Sequence, residues 1–157
     1  MKIQFWAVGK IHDSELKSAI EEFTTRINKY FSAEWKLFPP FSNYASASEA
    51  IIRNKEAESI LSAAKKDELL IALDVKGKQF TSEQLAQFLA ARSNEGRKNL
   101  VFIIGGAYGL GEHVIDRADY KWSLSSLTFP HQLVRLILAE QIYRACTIIR
   151  NEKYHHS

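Results

Sequence analysis

The residues most suggestive of ligand chemistry lie in the stretch IIGGAYGLGE, residues 103–112, where an apolar run stops at two glycines. Four of the chain's seven glycines fall within residues 105–111. Such loops often let a backbone approach a phosphate. Gly106 and Gly111 have P-loop spacing, but Glu112 and His113 stand where that motif needs Lys and Ser or Thr, and the G-x-G-x-x-G order of dinucleotide-binding folds is not met. A phosphate site is therefore disfavoured. The glycines either let the backbone approach another kind of ligand or only form a tight strand-to-helix turn.

Other familiar catalytic and metal-binding patterns are missing from the sequence. Ser125 and Ser126 lack the G-x-S-x-G turn of a serine hydrolase. The single cysteine, Cys146, lies in an apolar helical pattern, so we expect a buried packing thiol rather than a nucleophile. Glu140 and Arg144 have the i, i+4 spacing of a helix-surface pair. No metal is expected, because metal-ligand spacing is absent among the histidines, which are His12, His113, His131, His155 and His156.

The composition is that of an ordinary folded domain. Of 157 residues, 46% are hydrophobic and 25% are charged, which argues against disorder, and the length fits one compact domain. The longest apolar runs are about six residues, well below the ~20 that span a bilayer. The start, MKIQFWAVGK, does not have the pattern of a secretory signal, and one cysteine fits a reducing compartment, so a cytoplasmic location is favoured. The net charge of +3 is compatible with nucleic-acid binding but does not establish it.

Apolar periodicity predicts strands that alternate with helices along the whole chain. Strands are expected at residues 3–8, 34–38, 68–75, 99–104 and 120–125. Helices are expected from Asp13 or Ser14 with periodic apolar residues as far as Tyr30, over 48–64, from a cap at Thr81 or Ser82 through Arg92, over 112–117, and from Pro130 to about Ile149. This alternation predicts an α/β fold with a largely parallel sheet flanked by helices, in a single domain of residues 1–157.

The last predicted helix is apolar on nearly every side. Such a helix should be covered on more than one face. In a domain of this size, a sheet on one face and a partner subunit on the other would cover it. We therefore expect a homodimer, with a monomer that buries the helix completely as the alternative.

Five segments of the sequence together resemble one known family. They are AVGK (7–10), LDVKGK (73–78), FIIGGAYGLG (102–111), WSLSSLTFPHQLVRLILAEQIYRA (122–145) and YH (154–155). In this order they resemble the ribosomal RNA large subunit methyltransferase H family of the SPOUT class, and the resemblance covers the chain from end to end. It implies a deep trefoil knot in the C-terminal part of the α/β fold, a homodimer, and S-adenosylmethionine as the methyl donor. It also implies methylation at N3 of a pseudouridine in the helix 69 loop of 23S ribosomal RNA, on the assembled ribosome; the short apolar runs predict no membrane partner.

The resemblance implies that the donor lies among three loops. Leu73 would offer an apolar wall, while Gly105 and Gly106 would let the main chain approach the adenosine. The returning loop would contact the adenine with its backbone groups and apolar side chains; it comprises Leu124, Ser125, Ser126, Leu127, Thr128 and Phe129. A cationic sulfonium without phosphate explains why a P-loop lysine is not required here.

The resemblance also directs attention to the polar C-terminus and the last helix. The target N3 carries a proton that must leave, so a proton acceptor and groups that stabilise the anion are expected. His155 is the candidate acceptor, and Tyr154 would stack on or hydrogen-bond the base. Arg144 and Arg135 would steady the anion or hold phosphates. The alternatives are an Arg144–Glu140 pair and a solvated or interface role for Arg135.

Two other functions remain open at this point. One is a non-catalytic dimer that binds RNA or a nucleotide. The other is a SPOUT methyltransferase that acts on a different RNA, such as tRNA. The ending departs from the family pattern, because His156 and Ser157 follow Tyr-His where one basic residue is usual. If His156 takes the place of that basic residue, the positive charge that faces RNA would be smaller near neutral pH.

Overall fold

Strands and helices alternate along the chain, as predicted. The computed structural model describes residues 1–42 and 44–156. Within these residues the strands are β1 (Lys2–Val8), β2 (Ser32–Phe38), β3 (Leu69–Gln79), β4 (Asn99–Ile104) and β5 (Tyr120–Ser123). The helices are α1 (Ser14–Ile27), α2 (Glu49–Ala63), α3 (Ser82–Asn94), α4 (Glu112–Arg117) and α5 (His131–Ile149), with one turn of 3₁₀ helix at Tyr44–Ser46.

The strands form one five-stranded sheet in the order β2-β1-β4-β3-β5. Each neighbouring pair in this sheet is parallel, which confirms the predicted fold class. Since parallel strands all end at the same edge, the segments that follow β1, β4 and β5 and the end of β3 lie together there. The apolar runs of β4 and of the first half of β3 are buried, because helices cover both faces of the sheet.

Two apolar cores lie on opposite faces of the sheet. On one face Phe5 and Phe102 pack against α5 through Leu138 and Ile142. The other core contains Trp6, Val101 and Ile103 from the strands, with Ile60 of α2 and Val114 of α4. Successive side chains of a strand point to opposite faces, so each inner strand supplies both cores.

The helix caps are largely those that the sequence indicates. Asp13 accepts a hydrogen bond from the backbone N of Glu15 at 3.0 Å, and Ser48 accepts one from Ile51 N at 3.3 Å. Thr81 forms a capping box with Gln84.

The two largest differences from the predicted boundaries lie at the end of the first helix and at the end of the third strand. The first helix ends at Ile27 rather than near Tyr30, because the Asn28 side chain bonds Thr24 O and both backbone groups of Ala33 and turns the chain into β2. The third strand continues to Gln79, because the chain pairs with β5 again after an interruption. The polar sequence Lys-Gly-Lys at this interruption is typical of a strand end, which is why the prediction stopped there.

The last helix lies between two other helices on one face of the sheet. Tyr143 contacts Phe23 of α1 at 5.8 Å between ring centroids, and Gln141 accepts a hydrogen bond from Ser82 at 2.9 Å. One stripe of the helix remains half-buried, and its members are Leu133, Leu136, Ile137, Glu140 and Arg144. A partner subunit over this stripe stays a prediction.

Candidate functional site

A cavity of about 600 Å³ opens at the edge of the sheet where the strands end. It is lined by residues 73–75 of β3, by 104–107, 109 and 110 around the glycine loop, and by 122–125, 127–131 and 134. This position, outside the carboxyl ends of parallel strands, is where open α/β sheets bind ligands. Its volume lies within the range of small-molecule sites.

The lining of this cavity is mainly apolar and carries no Lys or Arg among the described residues. Its titratable side chains are Asp74 and His131. Burial, followed by the nearby charge of Arg135, lowers the pKa of His131. The imidazole is therefore neutral at pH 7, and Asp74 supplies the charge at the wall. Such a cavity accepts a cationic ligand without electrostatic opposition.

The glycine loop owes its composition first to its own packing. A Cβ on Gly105 would lie 2.5 Å from the backbone carbon of Gly109, which has a positive φ of 80°. A Cβ on Gly106 would lie 2.9 Å from Glu56 Oε2 on α2. The tight turn proposed as the alternative is therefore present, and Gly105, Gly106 and Gly109 also line the cavity.

The returning loop, residues 124–129, is held by hydrogen bonds of its own serines and of Ser123 at the end of β5. Ser123 Oγ donates to Ser125 O at 2.9 Å, and Leu127 N donates to Ser125 Oγ at 3.0 Å. Gln79 Nε2 donates to Ser126 Oγ at 3.0 Å. Ser126 does not line the cavity, but its bond to Gln79 ties this loop to the end of β3.

The other residues assigned to donor binding all line the cavity; they are Leu73, Gly105, Gly106, Leu124, Ser125, Leu127, Thr128 and Phe129. Several further residues line the cavity that were not predicted from the sequence, notably Asp74, Trp122, His131 and Val134. The position of Asp74 at the end of a predicted parallel strand could have identified it. Nothing in the spacing of Trp122 or Val134 indicated a ligand rather than the core.

A second polar cluster forms where the C-terminal tail folds back onto α5. Arg144 donates from Nε and Nη2 to Glu140 Oε1, at 3.0 and 2.5 Å, and Tyr154 donates to the same oxygen at 3.1 Å. The Arg144 guanidinium carbon lies 4.8 Å from the centre of the Tyr154 ring. Burial and the Glu140 charge raise the pKa of Tyr154, so the phenol stays protonated. The Arg144–Glu140 pair is present, and it holds Arg144 beside the tail.

His155 joins this cluster with both ring nitrogens. Nε2 lies 2.7 Å from Glu83 Oε1 at the start of α3, and Nδ1 lies 3.5 Å from Arg144 Nη1. A carboxylate can only accept, so Nε2 carries the proton and Nδ1 presents its lone pair. Backbone and Thr81 hydrogen bonds, followed by His155, lower the pKa of Glu83. His155 must leave one of these contacts before it can accept a substrate proton.

Arg135 lies apart from that cluster and is fully buried. Its Nη2 donates to Val8 O at 2.7 Å, and Nη1 donates to Ile11 O at 2.9 Å and lies 3.2 Å from His12 Nδ1. A Cβ on Gly9 would lie 2.7 Å from Nη2, so the glycine makes room for the guanidinium. This geometry gives Arg135 a positioning role at the exit of β1; contact with RNA stays a prediction.

The structure separates the cavity from the tail cluster. None of the predicted catalytic residues, Arg135, Arg144, Tyr154 and His155, lines the cavity. Arg144 follows Val134, which does line it, by ten positions, or about 15 Å along the helix axis. A reaction that uses both places therefore needs the tail to move or a second chain to contribute.

Neither a metal site nor a membrane-spanning helix is found in the described residues. Within residues 1–42 and 44–156, no group of three or more His, Cys, Asp or Glu side chains is arranged to hold a metal ion. No helix in that part of the chain is long and apolar enough to cross a membrane. The Cys146 thiol is buried, and burial raises its pKa to about 12, which confirms a packing role.

The parallel sheet and the cavity at its carboxyl edge define an α/β protein with a cavity of the size and position that small-molecule sites have in this class. A family model described as "Predicted SPOUT methyltransferase" matches residues 1–155. The chain belongs to this SPOUT methyltransferase family. Relatives named Ribosomal RNA large subunit methyltransferase H are 46% identical over 158 residues in Alkaliphilus oremlandii and 42% identical over 156 residues in Christiangramia forsetii. In each comparison 99% of both chains is covered.

Two solved structures have the same fold at low sequence identity. A probable methyltransferase from Bordetella pertussis gives a TM-score of 0.55 at 14% identity, covering 92% of this chain and 95% of its own. A probable methylase family protein from Haemophilus influenzae gives 0.54 at 12% identity, covering 99% of this chain and 70% of its own. These likenesses establish the fold alone.

Proposed function

We propose that this chain is an S-adenosylmethionine-dependent methyltransferase of ribosomal RNA. The observation that carries the proposal is the apolar cavity without lysine or arginine at the carboxyl edge of the sheet, in a chain whose relatives are named for this activity. The finer target is N3 of a pseudouridine in the helix 69 loop of 23S ribosomal RNA, within the assembled ribosome. We further propose that residues 1–157 act as a single cytoplasmic domain, and the C-terminal knot stays a prediction.

The donor fits the chemistry of the cavity. Its adenine would lie against the apolar residues Leu124, Leu127 and Phe129, with backbone groups of the ordered serine loop as hydrogen-bond partners. Its sulfonium, which supplies the methyl group, would face Asp74 and neutral His131. The protein's contribution is to hold the methyl group in line with the nucleophile and to exclude water.

The tail cluster contains a group that can accept the proton of the target base. Once the substrate base enters between Arg144 Nη1 and His155, the Nδ1 lone pair of the neutral ring can accept the proton from N3 of the pseudouridine, and the imidazolium that results stays paired with Glu83 through Nε2. Arg144 keeps Nη1 on the side of His155 and would stabilise the negative charge that develops on the base. Tyr154, held by Glu140, presents a ring for stacking.

The separation of the two places supports a site shared by two chains. The half-buried stripe of α5 runs from Leu133 to Arg144, so its midpoint along the helix axis lies at the level of Leu138. If two copies pack this stripe about a two-fold axis, the helices run antiparallel, and Arg144 of one copy lies across from Leu133 of the other. Leu133 is next to Val134, which lines the cavity. A homodimer thereby brings the tail cluster of one chain to the donor cavity of the second.

Mixed dimers test this arrangement. His155→Ala leaves the cavity intact, whereas Leu124→Lys places a cation in its wall, and Leu124→Met is the matched control. Each variant alone should lose methyl transfer. If the site is shared, random mixing restores about a quarter of wild-type activity, because half of the dimers carry one complete site of two. A mixture that stays inactive, although both variants dimerise, means that each chain uses its own tail.

The two other candidate functions are separated by substrate and donor measurements. We expect heat from S-adenosylmethionine in calorimetry, which a pure RNA-binding dimer would not give. Radiolabelled methyl transfer should favour intact ribosomes over free ribosomal RNA and tRNA, and mass spectrometry should locate the methyl group on N3 of the pseudouridine. Transfer to tRNA in preference would assign the enzyme to another RNA.

A further inference from the structure

The end of β3 leaves the sheet for four residues and then returns beside β5. Leu73 and Lys78 both pair with Trp122, so residues 74–77 have no partners in the ladder. Irregularities of this kind re-aim side chains and are frequent beside functional sites. The excursion turns an otherwise regular strand end into a projecting segment at the mouth of the donor cavity.

The return of this excursion lies directly on β5. A Cβ on Gly77 would be 2.6 Å from the backbone carbon of Lys121 and 2.6 Å from Trp122 N. Only glycine fits such a contact between two backbones. Lys76 and Lys78 flank Gly77, and Lys78 pairs with Trp122, so all three lysines project from one short stretch of adjoining backbone.

These lysines are exposed and free of acidic partners. Lys76, Lys78 and Lys121 are all exposed. In the described part of the chain, no carboxylate lies within 4.0 Å of their ammonium groups. The Lys78 ammonium lies 5.5 Å from the centre of the Phe80 ring. The charges are thus available to an anionic partner.

The same excursion also reaches the donor cavity. Asp74 and Val75 line it, and the side chain of Val75 is 59% exposed at its mouth. Leu127, on the opposite loop, also lines the cavity and is 70% exposed. Asp74 therefore lies at the donor site, whereas none of the three lysines lines it, and the exposed side chains of Val75 and Leu127 offer apolar surface that a nucleobase can cover.

We propose that Lys76, Lys78 and Lys121 form a basic lip that binds the phosphate backbone of the RNA substrate next to the donor cavity. This inference rests on the proposed function and adds to it the residues that hold the RNA. Lysines suit the task because phosphate contacts position RNA without reading its sequence and need only point charges. The lip would hold the strand while Val75 and Leu127 face the base.

A charge-reversal experiment tests the lip. The triple variant K76E/K78E/K121E is compared with K65E/K66E/K98E, which makes the same charge change at exposed lysines near the amino ends of β3 and β4, on the opposite edge of the sheet. Binding to purified bacterial 70S ribosomes is measured against salt, together with the affinity for S-adenosylhomocysteine. The lip variant should bind ribosomes at least tenfold more weakly, and its salt slope should fall by about 2 to 3.

The controls separate the possible failures. Unchanged affinity for S-adenosylhomocysteine shows that the lip variant is folded; if that affinity falls, the neutral K76Q/K78Q/K121Q triple is used, and it should still weaken ribosome binding. Equal ribosome binding by the lip and control triples overturns the lip and leaves the proposed function intact. Wild-type protein that binds ribosomes through the lip but transfers no methyl group to them refutes the function instead. Wild-type protein that does not bind ribosomes refutes both.

Discussion

The carboxylate of Asp74 is expected to distinguish the cationic methyl donor from its neutral product. Asp74→Asn removes the negative charge from the cavity wall with little change in shape. The cavity of about 600 Å³ corresponds to a sphere of about 5 Å radius, which sets the separation between the wall and a central sulfonium. At an effective dielectric constant of about 20, one charge pair at that distance is worth about 3 kcal/mol.

Salt reduces this attraction in a predictable way. With a Debye length of about 8 Å at 0.15 M salt, about 1.8 kcal/mol remains, which is roughly a 20-fold loss of donor affinity. At 0.01 M salt the loss should approach roughly 100-fold. S-adenosylhomocysteine has a neutral sulfur, so its affinity should change little.

Titration calorimetry with both ligands provides the measurement. The quantity to compare is the ratio of the two affinities, because any steric effect of Asn is common to both ligands. Asp67→Asn, on the opposite edge of the sheet, is the matched control and should leave the ratio unchanged. Equal weakening of both ligands by Asp74→Asn, or a ratio insensitive to salt, would refute the electrostatic reasoning.

Three other outcomes are expected. Gly105→Ala puts a Cβ 2.5 Å from facing backbone, so it should lower the free energy of unfolding by at least about 2 kcal/mol in denaturant titration; wild-type stability would show that the turn can relax. Arg135→Met leaves the carbonyls of Val8 and Ile11 without their donor, so it should cost about 3 kcal/mol; a stable variant defective only in RNA methylation would favour contact with RNA. Cys146, with a pKa of about 12, should resist thiol reagents at pH 8 until the protein unfolds. Because folding raises the pKa of Cys146, the protonated thiol contributes stability that is complete below the unfolded pKa near 9 and is lost as pH rises towards 12. A fast reaction of the native protein with a thiol reagent at pH 8 would contradict the buried, protonated state of this thiol.

Much of the fold follows from local patterns that the sequence displays directly. The apolar run NLVFII is buried as β4 because two helical layers cover the sheet, and Asp13, Ser48 and Thr81 begin helices because their side chains satisfy free backbone N–H groups. Leu73 and all of the returning loop except Ser126 line the cavity in which the resemblance to the family predicts the donor. Each of these features depends on a short, continuous stretch of the chain, which the sequence shows directly.

Other features depend on residues that only folding brings together. The sequence predicts Arg135 as a solvated, interface or catalytic cation, yet this residue is buried. The carbonyls that offset the free-energy cost of burying its charge belong to Val8 and Ile11, more than 120 positions away. The distance between the cavity and His155 is equally invisible in a one-dimensional motif. The sequence by itself determined the elements and the parallel character of the sheet, since periodicity is local, and the methyl donor is what the resemblance to the family implies. Only the tertiary structure decided which charges are paired, buried or free, because burial and Coulomb energies depend on neighbours in space.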